Sequence, residues 1–283
     1  MIKSITRVTI ALLLALPLIS VGSNQVRAFD PNKTYLVGVE AAFAPWSYVE
    51  QGELKGVAVE AFREVAKIQG IKIDLKDYPW PSLIPALRAG KIDILTGAVS
   101  IKKKRDEVVD FGVPNNTAWD EVLVAADSTL TLGEALYKSG AKIGVQAGSF
   151  QDGWVVANIV EKGFDVQLVR ADDITTLVSE LGTGRVDSAV IAKTPVAKLL
   201  EKKRPVKVIA KLWETRRSHA SCTVQQGDPG KLLEILNQGY VKLGKSGKWC
   251  EIWSKYMPAT LQCGTIPGFM PDWVETYHPA PGL

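Results

Sequence analysis

The stretch SIKKKRDEVVDF (100–111) sets four consecutive cations, Lys102, Lys103, Lys104 and Arg105, directly after an apolar run. Such a run can coat a nucleic acid, cover a solvated face or hold one small anion. Arginine suits the last task, because its planar fork meets both oxygens of a carboxylate. A helical turn starting here would present backbone N–H groups to the same anion. Ser100 would add a hydroxyl beside the Arg105 guanidinium. Spacing alone leaves open a solvated charged face, and that reading is kept for Lys102, Lys103 and Lys104.

Other candidates stand where strand-like runs end. Phe43 and Trp46 in AAFAPWSY follow the first strand-like run, and Trp80 follows the second. Aromatics in such places either flank a ligand or pack a core. Glu40 closes the first strand, as a partner for a ligand cation or as a surface acid. In QAGSFQDGW (146–154), Gly148 and Ser149 precede a helix that opens with Phe150. A helix N-terminus accepts negative charge, and an ordinary N-cap looks the same in sequence.

The elements that must position these residues alternate. TYLVGVE (34–40) reads as a strand, and VAVEAFREVAKIQG (57–70) as a helix stopped by Gly70. IKIDLKD is a strand, SLIPALRAG a helix ending at Gly90, and KIDILTG the next strand. A second series follows: strand AKIGVQ (141–146), helix FQDGWVVANIVEKG (150–163), strand DVQLVR, helix ITTLVSELGTG and strand RVDSAVI. LRAGKIDILTG (87–97) and LGTGRVDSAVI (181–191) share Leu, two residues, Gly, a cation, a β-branched residue and Asp before an apolar strand. The alternation predicts α/β layers with largely parallel sheets, and the repeat predicts two lobes of similar design. Ligands of open α/β sheets sit beyond the carboxyl ends of the strands, here between the lobes.

The chain has 283 residues, 46% hydrophobic and 23% charged, enough for two domains of an ordinary globular protein. Residues 1–28 differ: Lys3 and Arg7 precede an apolar run from Val8 to Ile19, and Val26-Arg27-Ala28 ends the segment. This is the pattern of a secretory signal peptide cleaved after Ala28. Its removal takes Lys3, Arg7 and Arg27 and lowers the formal charge from +4 to +1. A near-neutral exported chain is a poor match for nucleic acid. No later run is long and apolar enough to span a bilayer. Of Cys222, Cys250 and Cys263, the last two are close in sequence around the helix-like KWCEIWSKYM and are expected to pair. Cys222 lies in the strand-like SHASCTV and is expected as a buried free thiol. His219 and His278 do not pair with cysteines at zinc-like spacing, so neither a metal nor a cofactor is expected. TIPGFMPDWVETYHPAPGL (265–283) reads as an irregular tail packed on one lobe.

Taken in order, VGVEAAFAPWSYVEQGELKGVAVEAFREVAK, WPSLIPALRAGKIDILTGAVSIKKKRDEVVDF, GVQAGS, GRVDSAVIAKTPVA and VQQGDPGKLLEILNQGYVKLGKSGKWCEIWSKYM resemble the family 3 solute-binding proteins of bacterial ABC importers, the polar amino-acid-binding group. The resemblance implies a two-lobed, Venus-flytrap, periplasmic binding protein-like II fold, with a mixed, mostly parallel sheet in each lobe and two hinge crossings. It implies lobe 1 at 29–119 plus 219–283 and lobe 2 at 120–218. It implies a periplasmic monomer that closes on a small carboxylate ligand and docks on an inner-membrane ABC permease. By position, Arg105 would grip the ligand carboxylate with Ser100 and the backbone of Gly97 and Ala98. Ser149 and Phe150 would complete that site, Phe43 and Trp80 would flank the ligand, and Glu40 would sit where binders of basic ligands carry an acid.

Two departures stand out. The family's Asp for the ligand ammonium, five residues beyond Asp187, is replaced by Ala192 followed by Lys193, in a loop one residue longer. The acid of the family's Gly-Phe-Asp motif is absent from Gly56-Val57-Ala58. Either Glu40, Asp172 or Asp173 serves the ammonium, or the ligand lacks one and Lys193 favours a second anion. A transport receptor is the reading adopted. A sensor for a membrane kinase would bind in the same way, and a dehydratase on this fold would need an acid or base that only Glu40 offers.

Overall fold

The computed structural model describes residues 29–212 and 218–263. The expected signal peptide and the Pro-rich tail lie outside them. The chain opens with strand β1 (Thr34–Val39) and a small antiparallel ribbon, β2 (Ala42–Phe43), β3 (Ser47–Glu50) and β4 (Glu53–Lys55). Helix α1 (Val57–Gln69), β5 (Lys72–Asp77), α2 (Trp80–Arg88), β6 (Ile94–Ser100), the single turn α3 (Lys103–Asp106), β7 (Val109–Phe111) and β8 (Asn116–Ala118) follow. The second series is β9 (Asp120–Ala125), α4 (Leu132–Tyr137), β10 (Lys142–Gln146) and α5 (Phe150–Val155), which runs into a π-helical turn (Val156–Val160). It continues with β11 (Gln167–Ala171), α6 (Ile174–Gly182), β12 (Ser188–Ala192), α7 (Lys193–Glu201) and β13 (Val206–Leu212). The chain returns through β14 (Ser218–Gln225), α8 (Leu232–Lys245) and α9 (Lys248–Tyr256).

The strands form two main sheets, β5-β1-β6-β14-β7 with β8 also on β14, and β11-β10-β12-β9-β13. In each, the first three strands are parallel and the fourth runs against both neighbours. The reversed strands, β9 and β14, are those that enter from the opposite sheet. The expected mostly parallel sheets therefore hold in strand direction, while every pairing made by a reversed strand is antiparallel.

The repeated sequence motif has a physical counterpart. It leads into β6 and β12, the third strand of each sheet. Asp93 N–H donates to the Leu36 carbonyl (2.8 Å) and its Oδ2 accepts from Leu36 N–H (2.9 Å), on β1. Asp187 makes the same pair of bonds to Lys142 on β10, at 2.8 and 2.7 Å. The strands accordingly begin at Ile94 and Ser188, later than alternation suggests, because each aspartate is spent on this pin. Two residues past each pinned partner stands a glycine under a helix. A Cβ on Gly38 would lie 2.5 Å from Ile92 and 2.9 Å from Leu83, and one on Gly144 would lie 2.4 Å from Leu177.

Helix α1 buries Phe62 and Val65 with Leu236, Tyr240 and Trp253 of α8 and α9. Gly70, left-handed at φ 67°, caps it as the sequence suggests. The expected helix at 150–163 is α-helical only to Val155. Cys250 on α9 is bridged to Cys263, and Cys222 is a free, buried thiol whose pKa burial pushes up to about 12. The bridge closes a loop with a sequence separation of 13. Replacing both partners by serine is expected to lower stability by about 3 kcal/mol. Urea melts with an unchanged midpoint would show that the helix holds without the bridge.

Candidate functional site

The two sheets face one another across a cleft. Glu40, Phe43, Trp46, Trp80, Gly97, Ala98 and Ser100 line it from the first sheet's side, and Ser149, Phe150 and Ala192 from the second. Of the sequence candidates, Arg105, Gly148, Asp172, Asp173 and Lys193 stand off its wall. Between Val99 and Leu95 of β6, paired with Ser221 and Thr223, three residues face Cys222 alone. This bulge holds Gly97 at φ 118° and Ala98 at φ 58°, and it turns the main chain toward the cleft. A positive φ at alanine is strained, a feature concentrated at functional sites.

The cation run divides. Lys103 and Lys104 are exposed, whereas Arg105 is buried. Its Nη1 donates to the Ser100 carbonyl and its Nη2 to the Gly148 carbonyl of the opposite side, both at 2.9 Å. The guanidinium stands 5.1 Å from the Trp80 ring centre. Lys102, expected to be solvated, is instead half-buried and crosses the cleft: its Nζ donates to the Ser149 carbonyl (2.9 Å) and lies 4.7 Å from the Phe150 ring. Burial, helped by Arg105, lowers its pKa to about 7. The loop it grips is fixed from behind. Ser149 Oγ caps α5 by accepting from Asp152 N–H (3.1 Å), and Asp152 Oδ2 accepts from Gly148 N–H (2.9 Å) and from Arg170 Nε (3.0 Å). Ser149 thus both caps α5 and lines the cleft.

Just past the end of β1 lies Glu40, 5% exposed. Burial raises its carboxyl to about 8, against the hydrogen bond donated by Gln146 and with help from Asp173 and Asp77. Gln146 comes from β10, so this bond also joins the two sides. Trp46, almost fully buried, donates from Nε1 to Thr194 Oγ1 (2.7 Å), again across the cleft. Phe43 packs against the cores of both sheets.

Residues 35–259 match the bacterial extracellular solute-binding proteins, family 3. The chain belongs to this family. It is 29% identical over 232 residues to a probable histidine-binding protein of Neisseria gonorrhoeae, covering 81% of this chain and 85% of that one. It is 26% identical over 230 residues to the L-cystine-binding protein of Escherichia coli K12, covering 81% and 84%. An ancestral arginine-binding protein solved with arginine superposes with a TM-score of 0.71 at 29% identity, over 79% of this chain and 97% of that one. The fold is the type II fold of the periplasmic amino-acid-binding proteins.

In this family-3 protein, Lys193 is withdrawn from the cleft: its Nζ lies 3.5 Å from the Trp119 ring centre, and Glu121 attracts it. Asp173 is spent as the N-cap of α6, accepting from Thr176 N–H at 2.8 Å. Asp172 contributes only its carbonyl, to Gln146. Asn116, Gln146, Gln151, Ile174, Thr194 and Ala220 also line the cleft and carried no expectation. A signal for Gln146 was present: the motif that pairs Leu36 with Lys142 and Gly38 with Gly144 also pairs Glu40 with Gln146. The two equivalent residues meet across the cleft. Among the described residues, no three His, Cys, Asp or Glu groups gather as a metal site. The arrangement sets two cations beside the cleft, aromatic faces along it and one buried carboxyl on its wall.

Proposed function

We propose that the protein is the periplasmic substrate-binding component of an ABC importer, released by cleavage after Ala28, that closes on one amino acid between its lobes. Lobe 1 is assigned to 29–119 plus 219–283 and lobe 2 to 120–218, and the protein acts as a monomer on an inner-membrane permease. The observation that carries this reading is the setting of the cleft's polar groups. Arg105 holds the Ser100 carbonyl at the end of β6, and Glu40, which follows Val39 of the neighbouring β1 beside Gly97, is paired with the Gln146 amide. The ligand carboxylate is assigned to Arg105 and Ser100, with Ser149 opposite; Phe43, Trp80 and Phe150 flank the rest. Relatives named for histidine, cystine and arginine support an amino acid as the ligand class.

The reading is of a binder and not an enzyme. A buried carboxyl near pH 8 has the character of a general acid, and a precursor of cyclohexadienyl dehydratase, itself an amino-acid-binding protein, matches at 25% identity and a TM-score of 0.69. Among the described residues no His or Cys lines the cleft with Glu40, and Lys102, which crosses it, donates to the Ser149 carbonyl. A thermal-shift panel of L-amino acids beside amine-free acids tests the function. A ligand at 100 times its dissociation constant adds about 2.7 kcal/mol; a panel in which only amine-free acids raise the melting temperature would overturn the amino-acid reading.

Glu40 predicts a pH dependence. Its folded pKa is raised, so it holds its proton at pH 7 and must release it to meet a ligand cation. Affinity for a side-chain cation such as that of L-arginine should therefore rise about tenfold per pH unit from 6 toward 8 and level off above it. Titration calorimetry across that range should find proton release with L-arginine. A flat profile would remove Glu40 as the cation's partner.

A further inference from the structure

An amino acid held in this cleft brings an α-ammonium, and burying it without an acceptor is costly. Strand β12 offers none, because it ends on the wall at Ala192. The register of the second sheet places another acid beside it. Ala192 is paired directly with Asp120, the first residue of β9. Paired residues of an antiparallel ladder carry their side chains on the same face, within reach of one another. Asp120 is 2% exposed. The methyl of Ala192 is too short to screen it across the ladder. In front of the carboxylate stands Gln151, on the first turn of α5 and on the cleft wall, with its Nε2 donating to Asp120 Oδ1. An ionised carboxylate only accepts hydrogen bonds, so it fixes which end of the amide it faces. The nitrogen is held by Asp120, and the carbonyl oxygen is the end left for another donor. Lys102 is drawn to the same carboxylate, with one Nζ donor on the Ser149 carbonyl.

We propose that Gln151 is the specificity-determining acceptor for the ligand's α-ammonium and that Asp120, opposite Ala192, is the positioning residue that turns its carbonyl to the cleft and backs it with negative charge. This rests on the amino-acid reading above. It resolves the absence of an acid at the end of β12 by moving the charge one strand sideways.

The test is calorimetry on wild type, Asp120→Asn and Gln151→Leu with two ligand pairs: L-arginine against 5-guanidinopentanoic acid, and L-histidine against imidazole-4-propionic acid. Each pair differs only in the α-ammonium. Both variants should lose about tenfold or more toward the amino acid, while affinity for the amine-free partner stays within about twofold. Circular dichroism and melting temperature identify a variant that does not fold; Gln151→Leu, on the cleft wall, keeps the question open to test if Asp120→Asn is that variant. Equal losses for both members of a pair would make the residues structural and overturn the proposal. Unchanged selectivity, or selectivity lost in Glu40→Gln instead, would overturn it as well. A wild type that binds no L-amino acid in a panel of the twenty takes the amino-acid reading down with it, an outcome distinct from any of these.

Discussion

Gly56→Ala is expected to lower stability by about 4 kcal/mol, the sum of a glycine-only backbone conformation and a main-chain clash. Gly56 precedes α1 at φ 120° and ψ 169°. A Cβ there would lie 2.4 Å from the Trp46 carbonyl oxygen, 2.6 Å from its carbon and 2.8 Å from the Pro45 oxygen. These are main-chain atoms already in use. Val57 N–H donates to the Pro45 carbonyl (3.1 Å) and Ala58 N–H to the Trp46 carbonyl (2.9 Å). Two N–H groups that every helix start leaves unmatched are thereby satisfied by the loop that carries Trp46. Relaxing the clash would pull that loop off the helix, together with the indole that reaches Thr194 across the cleft. Denaturant melts measure the loss, and ligand affinity should fall with it. A loss below about 1 kcal/mol would mean that the loop yields freely and is not what fixes Trp46.

Much of this framework is legible before any coordinates. β1, α1, β5 and β10 follow from their apolar patterning with boundaries shifted by a residue or so, because each is a regular run closed by a glycine or polar stop. The repeated Leu-x-x-Gly-cation-β-Asp motif marks the third strand of each sheet, because pinning that strand to the first needs an aspartate at one position. β9, β13 and α8 carried no expectation, and β2, the two-residue start of the ribbon, is too short for any period to show. The cleft is legible to the extent that strand ends collect in it, which brings Glu40, Trp80 and Ser100 together. What the sequence withholds is register. That Lys102 would reach a carbonyl 47 residues away, and that Asp120 would stand opposite Ala192, depends on how two sheets face and how two strands align. A run of lysines reads as a solvated face until one of them has a partner across a cleft.

Arg105→Ala should weaken amino-acid binding by more than about 2 kcal/mol, at least thirtyfold. The guanidinium joins Ser100 at the end of β6 to Gly148 just before α5, so it ties one side of the cleft to the other. Truncation leaves two carbonyls without that donor and removes the cation from the anion side of the cleft. Both effects oppose the closed arrangement, which a ligand favours only by its differential affinity for it. Arg105→Lys separates geometry from charge. A lysine keeps the charge but lacks the planar fork that spans both carbonyls, so it should recover only part of the loss. The measurement is calorimetry on the three proteins with one amino acid, with melting temperatures as the check on folding. Unchanged affinity in Arg105→Ala would end the clamp assignment. Full recovery in Arg105→Lys would mean that charge alone draws the carboxylate in, and that the bonds to Ser100 and Gly148 are incidental to binding.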